Sequence, residues 1–283
     1  MEQSTHTHTT ATFQPSSSFS AISYSEPRDQ EDEIGQAFAD HMDALSRRLV
    51  ILRNDATNQV LIKQSIESSR YHPSGATRLK KRIHTRLNSY PAENGLLLTL
   101  TIADRDSEQE SYQGLGRVEA WCEFGYRKRY FLDRVNKLRK SHGLPRVKRR
   151  IATIEEQHDR HYPHTHIWFP GLKYLAKIED IQKLWPWGNV DLKVIDNMTP
   201  ANYIIKYISK MEGKGFMQAM LWYFRLRLFT TTRDFKYIYE LKPDNGWKYE
   251  MTGEYFRAKE KAEQLTADGY EILGSELIQP RGS

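Results

Sequence analysis

Between Asn94-Gly95 and Asp104 lies the run Leu96-Leu97-Leu98-Thr99-Leu100-Thr101-Ile102. It constrains the fold more than any other segment. It is far shorter than the ~18 apolar residues of a membrane span. Turn residues close it at both ends, and a short, partly β-branched apolar run of this kind reads as a strand buried at the centre of a sheet. A chain built around such a strand must also supply partner strands and helices to cover it.

Candidates for both follow along the chain. Val147 begins a strand over residues 147–157, a polar turn follows around Asp159 to Pro163, and a second strand covers 164–169, so the pair predicts an antiparallel hairpin. Residues 189–195 alternate like a half-exposed strand, and 226–231 and 235–241 are further strands. Ile34, Phe38, Met42, Leu45, Leu49 and Leu52 recur at three- and four-residue steps, which predicts an amphipathic helix from Glu33. Helices are also expected over 76–87, 115–141, 178–184 and 254–265. Thr199-Pro200 opens another, with Thr as N-cap and Pro at the first helical position, running to Glu212 before Gly213. The fold class is therefore α+β: a central antiparallel sheet with helices packed on it. About half of residues 1–25 are Ser or Thr, so 1–32 reads as a disordered tail. Residues 33–90 read as a helical extension with a basic second helix, and 242–283 as a C-terminal helical tail.

The formal charge of +6 conceals an asymmetry. Residues 1–45 hold eight acids against Arg28, which leaves +13 on the remainder. Arg78, Lys80, Lys81, Arg82 and Arg86 cluster without an acid, and residues 126–150 carry eleven bases, among them Arg127, Lys128, Arg129, Lys148, Arg149 and Arg150, against Asp133. Such blocks fit a polyanion, since neutralising phosphates releases condensed counterions. Trp121, Tyr126 and Trp168 stand among them as stacking partners for bases or as core residues. The N-terminus lacks a secretory signal, no segment spans a membrane, and Cys122 stands alone, so the chain is expected in the cytoplasm without disulfides or cysteine-based metal sites.

His164-Thr165-His166 sits on the second strand of the hairpin. Period-2 geometry puts both imidazoles on one face, which is what a metal needs from a rigid backbone. The paired strand offers Glu155 or Glu156 as a third ligand, and strand phase favours Glu155. His6-Thr7-His8 has the same spelling but lies in the tail with no strand to fix it. Downstream, Tyr203, Lys206, Tyr207 and Lys210 form one stripe at i, i+3, i+4 and i+7 of a helix. By itself this is an amphipathic helix with wet-tipped tyrosines and snorkelling lysines. Phosphoryl transfer gives the combination a purpose, with a phenol as nucleophile and a cation to offset charge on the non-bridging oxygens.

In this order, Leu98-Thr99-Leu100-Thr101, Pro163-His164-Thr165-His166-Ile167, Ala201-Asn202-Tyr203 through Lys210, and Arg227-Leu228-Phe229-Thr230-Thr231-Thr232-Arg233 resemble the HUH endonucleases. The likeness is to the rolling-circle replication initiators of phages and plasmids, two-tyrosine subgroup, and it spans about residues 76–240. It implies an RRM-like HUH palm over 91–241, and Mg2+ or Mn2+ bound by His164, His166 and an acidic residue. Spacing in some relatives favours Glu156 for that place. The activity implied is site-specific nicking and joining of single-stranded or hairpin origin DNA. Tyr203 or Tyr207 is the nucleophile and is left in a 5′-phosphotyrosine link, with Lys206 and Lys210 in support. A host polymerase would extend the free 3′-hydroxyl, and with no Gly-x-x-x-x-Gly-Lys-[Ser/Thr] in the sequence a host helicase would open the duplex. The competing readings are a non-catalytic DNA-binding autoregulator and an HUH-type transposase. Neither the origin sequence nor the oligomeric state can be read from the residues.

Overall fold

The computed structural model describes residues 27–88, 90–105, 112–232, 235 and 246–273. The Ser/Thr-rich segment with His6 and His8 lies outside these, as does all but Phe235 of the strand expected over 235–241.

The leucine run is the centre of the molecule. It forms β3 (Glu93–Thr101), flanked by β5 (Pro163–Pro170) on one side and β6 (Val190–Met198) on the other, both antiparallel. β4 (Ile151–Glu156) and β7 (Phe229–Thr231) complete a sheet of order β6-β3-β5-β4-β7. Leu98 and Leu100 are fully buried, whereas Leu97, Thr99 and Thr101 on the other face of β3 are half-exposed. The sheet therefore has one sealed face and one partly open face. Gly95 lets β3 lie tight against its neighbour, since a Cβ there would stand 2.3 Å from the carbonyl oxygen of Phe169.

α3 (Arg117–Ser141) lies on the sealed face with α4 (Ile178–Leu184), burying Trp121, Phe124 and Phe131 around Trp185. α5 (Pro200–Met211) crosses the opposite face beside β4, with α2 (Pro73–Leu87) packed on its outer side. The α+β class with an antiparallel central sheet agrees with what the sequence pattern predicts. No helix among the described residues is long and apolar enough to cross a membrane.

Several elements differ from expectation. The helix expected to run from Glu33 through Leu52 is α1 (Pro27–Ser46) and ends before Leu49. Residues 48–64 instead form a hairpin, β1 (Arg48–Asn54) and β2 (Gln59–Gln64), so the expected helical extension over 33–90 is interrupted by strands. Its turn is closed by Asn54, whose side chain accepts from the Ala56 N–H, and by Asn58 at φ 51°. The expected C-terminal helical tail also carries strands: β8 (Trp247–Glu254) and β9 (Glu271–Leu273) flank the hairpin in a second sheet, β8-β1-β2-β9. α7 (Tyr255–Ala267) covers that sheet around Leu49, Ile51, Val60, Ala258 and Leu265. A further helix, α6 (Gly215–Tyr223), follows Gly213 where only a stop was expected.

One basic residue is misplaced by charge counting. Lys128 falls on the buried stripe of α3 and is 8% exposed, one turn from Phe124, with its ammonium 5.9 Å from that ring's centre. It is not a surface phosphate contact. Burial, aided by the neighbouring charge of Arg150, pushes its pKa down to about 8. An unfolded lysine titrates near ~10.4, so between those values the folded chain holds fewer protons and rising pH favours folding. Below pH 8 both states are charged and the full penalty remains. Lys128→Met should thus raise stability at pH 7 by on the order of 2–3 kcal/mol, a gain that shrinks towards pH 10. Urea unfolding at both pH values measures it, and a variant less stable at pH 7 would refute the account.

Candidate metal centre

The register of three strands builds the site. Across the β4-β5-β3 ladders, Glu155 lies opposite His164 and His164 opposite Thr101, while Thr153 lies opposite His166 and His166 opposite Thr99. Directly opposed residues share a face, so Glu155, His164 and His166 converge on the partly open one. Glu156 lies opposite Pro163 and takes the other face. There its carboxylate bonds His161 Nδ1 and stands 4.0 Å from Lys214 Nζ. Of the two candidate acids, Glu155 is the one that joins the histidines.

The three donor atoms meet closely. Glu155 Oε2 is 3.5 Å from His164 Nε2 and 3.3 Å from His166 Nε2, and the two Nε2 atoms are 3.0 Å apart. Adjacent ligands of an ion with bonds of ~2.1 Å stand ~3.0 Å from one another, so these separations suit a divalent cation. Two further observations agree. Glu155 Oε2 is buried with no hydrogen-bond partner among the described residues, a costly state for a carboxylate oxygen unless a cation faces it. His166 Nδ1 lies 2.9 Å from Thr99 Oγ1. With Nδ1 protonated and donating, Nε2 presents its lone pair to the cluster.

Electrostatics favour the ligating forms. Burial opposes ionisation of Glu155, but the two imidazoles and the Lys210 ammonium, 2.5 Å from Oε1, hold its carboxyl well below the usual carboxylate range. Burial pushes His166 down, against the pull of Glu155, which favours the neutral ring a metal requires.

α5 begins as its sequence signals require. Thr199 Oγ1 accepts from the Asn202 N–H, and Pro200 takes the first position. Both phenols face the sheet. Tyr203 is 1% exposed, its ring 5.6 Å from Trp168 and its hydroxyl donating to the His166 carbonyl at 2.9 Å. Tyr207 lies one turn on, its ring centre 5.1 Å from that of His166. Lys206 and Lys210 flank Tyr207 rather than sharing its buried face, with Nζ atoms 5.7 and 5.3 Å from its ring centre. Burial pushes the Tyr203 hydroxyl pKa well up. Burial and then the Glu155 charge push Tyr207 up to about 12.

The basic residues divide by environment. Arg78, Lys81 and Arg82 are exposed on α2, beside the tyrosine helix, and Lys80 pairs with Glu212 at 2.5 Å. Arg129 and Lys148 are exposed and Arg150 is half-buried. Arg127 pairs with Glu123 and covers the Trp187 ring, and Arg149 grips Glu93 through two bonds of 3.0 and 2.8 Å. Trp121 and Trp168 are wholly buried, which removes them as stacking partners for bases, whereas Tyr126 is 55% exposed. Thr99 belongs to the site although the sequence motifs do not mark it as a functional residue. Its signal is the alternation of Leu98, Thr99 and Leu100, which turns the hydroxyl towards the histidine face.

No curated protein and no solved structure matches the chain. Residues 95–212, which run from β3 to the end of α5 and contain Glu155, both histidines and both tyrosines, match the family described as Replication-associated protein ORF2.

Proposed function

We propose that the chain is a replication-initiation endonuclease of the HUH type, which nicks single-stranded origin DNA through a tyrosine and rejoins it. The convergence of Glu155, His164 and His166 beneath Tyr207 carries this reading. A divalent ion, Mg2+ or Mn2+, bound by those three side chains would supply a Lewis acid at a non-bridging oxygen of the scissile phosphate.

The nucleophile we assign is Tyr207. Its Oη forms a bond to phosphorus as the bond from phosphorus to the 3′-oxygen breaks. The phenolic proton passes to solvent, and the departing oxygen takes up a proton to become a 3′-hydroxyl. The 5′ side stays on the enzyme as a phosphotyrosine ester, and reversal by a 3′-hydroxyl rejoins the strand. With a pKa near 12 the phenol is protonated at neutral pH, and Lys206 and Lys210 are the cations near enough to favour the phenolate as it develops. Tyr203, whose hydroxyl is engaged by the His166 carbonyl, we assign to holding β5 and α5 together. The exposed Arg78, Lys81 and Arg82 of α2 contact the phosphates of the incoming strand.

Labelled single-stranded oligonucleotides covering stem-loops of the DNA that encodes the protein, incubated with Mn2+, test the assignment by a covalent protein-DNA band. Tyr207→Phe should reduce that band at least ~100-fold, while Tyr203→Phe retains it; the reverse pattern would overturn the choice of nucleophile. DNA binding with no band under any metal would instead favour a non-catalytic binding module. The acids separate in the same way. Glu155→Gln should raise the Mn2+ concentration for half-maximal nicking by ~10- to 100-fold, and Glu156→Gln should leave it near the wild-type value while lowering thermal stability. Equal effects of the two substitutions on Mn2+ dependence would refute Glu155 as the ligand.

A further inference from the structure

α3 has a second face that the proposed nuclease site does not use. Tyr126 and Tyr130, one turn apart, are 55% and 44% exposed. Their rings are nearly parallel, at 14°, with centres 6.2 Å apart. One turn further, the Arg134 guanidinium covers Tyr130 at 5.6 Å. The three side chains thus form a ladder at i, i+4 and i+8 on the outside of the helix. Arg129 and Lys137 are exposed beside it, with Asp133 the one acid between them.

Exposed tyrosines side by side leave apolar ring surface in water, a cost that packing against the core removes for Trp121 and Phe124 on the inner stripe of the same helix. Aromatic faces within a cationic strip are the features by which proteins hold unpaired strands, because every base has a face to stack and every nucleotide a phosphate to neutralise. A duplex keeps its bases stacked inside and offers only the phosphates.

We infer that Tyr126, Tyr130 and Arg134 form a stacking platform for single-stranded DNA on the opposite side of the sheet from Glu155, His164 and His166. The inference rests on the DNA-processing function proposed above and adds a second place of contact. The metal face holds the nucleotides to be cut, and the platform holds bases of the same strand outside the cleavage site. It predicts a strand footprint longer than the metal face alone can cover.

The test uses the full chain and two probes, a thymidine homopolymer of about 20 nucleotides and a duplex of the same length. Tyr126→Ala/Tyr130→Ala should weaken homopolymer binding about tenfold or more, measured by fluorescence anisotropy, with duplex affinity within about twofold of wild type. Tyr126→Phe/Tyr130→Phe should restore homopolymer binding, since stacking needs the ring and not the hydroxyl. Circular dichroism melting should match wild type for both variants because the rings are exposed. Unchanged homopolymer affinity in the alanine variant, or an equal loss on both probes, would overturn the platform. Covalent nicking of a short origin oligonucleotide, assayed in parallel, separates the two ideas. Nicking that persists while the platform prediction fails discards the platform alone, and wild-type protein that neither nicks nor binds the homopolymer discards both.

Discussion

A carboxylate lying 7% exposed among strands is tolerated only where positive or polar neighbours replace the water it has lost. Glu155 has two imidazoles across the ladder and a lysine from a separate helix, and the rest of the site is arranged around that requirement. Register is its first condition. A slip of one residue between β4 and β5 would turn Glu155 to the sealed face and bring Glu156 round in its place. The leucine run makes such slips costly throughout the sheet, because moving β3 by one residue would expose Leu98 and Leu100 and bury Thr99 and Thr101. The apolar strand that defines the fold is thereby what aims the polar cluster.

What is legible in the residues is local and periodic. Strand phase puts His164, His166 and Glu155 on one face, and Thr199-Pro200 marks the start of α5, because each signal lies within a few residues of its effect. The failures have equally physical causes. Leu49 and Leu52 continue the helical spacing of α1, yet Val50 and Ile51 between them are β-branched, and the strand is completed by β8, about two hundred residues away in the chain. No local pattern announces that partner. Lys128 reads as a surface cation because its neighbours in sequence are basic, but its place on α3 is fixed by Phe124, Phe131 and Val135, which turn that stripe inward.

The two faces of α3 show the same limit on a larger scale. Its inner stripe holds the aromatics of the core, and its outer face repeats the aromatic theme with a cationic rim, so charge density along the sequence mixes two surfaces of opposite character. Arg127 and Arg149 show a related effect. Both belong to the densest basic block, yet both are engaged by acids, Glu123 and Glu93. Composition reports how much charge a segment has. Only the fold reports how much of it faces outward.

The two tyrosines differ for a reason that lies in how a helix sits on a strand. Four helical residues advance ~6 Å and two strand residues ~6.8 Å, so α5 and β5 stay nearly in step. Tyr203 meets Trp168, Tyr207 meets His166, and Lys210 reaches Glu155, which lies opposite His164. The helix thus delivers a buried anchor, a phenol beside the metal cluster and a cation to its carboxylate, in chain order. Exchanging the duties of the two phenols would require α5 to slide a full turn along β5. That slide would carry Lys210 off Glu155 and leave the buried carboxylate without its cation.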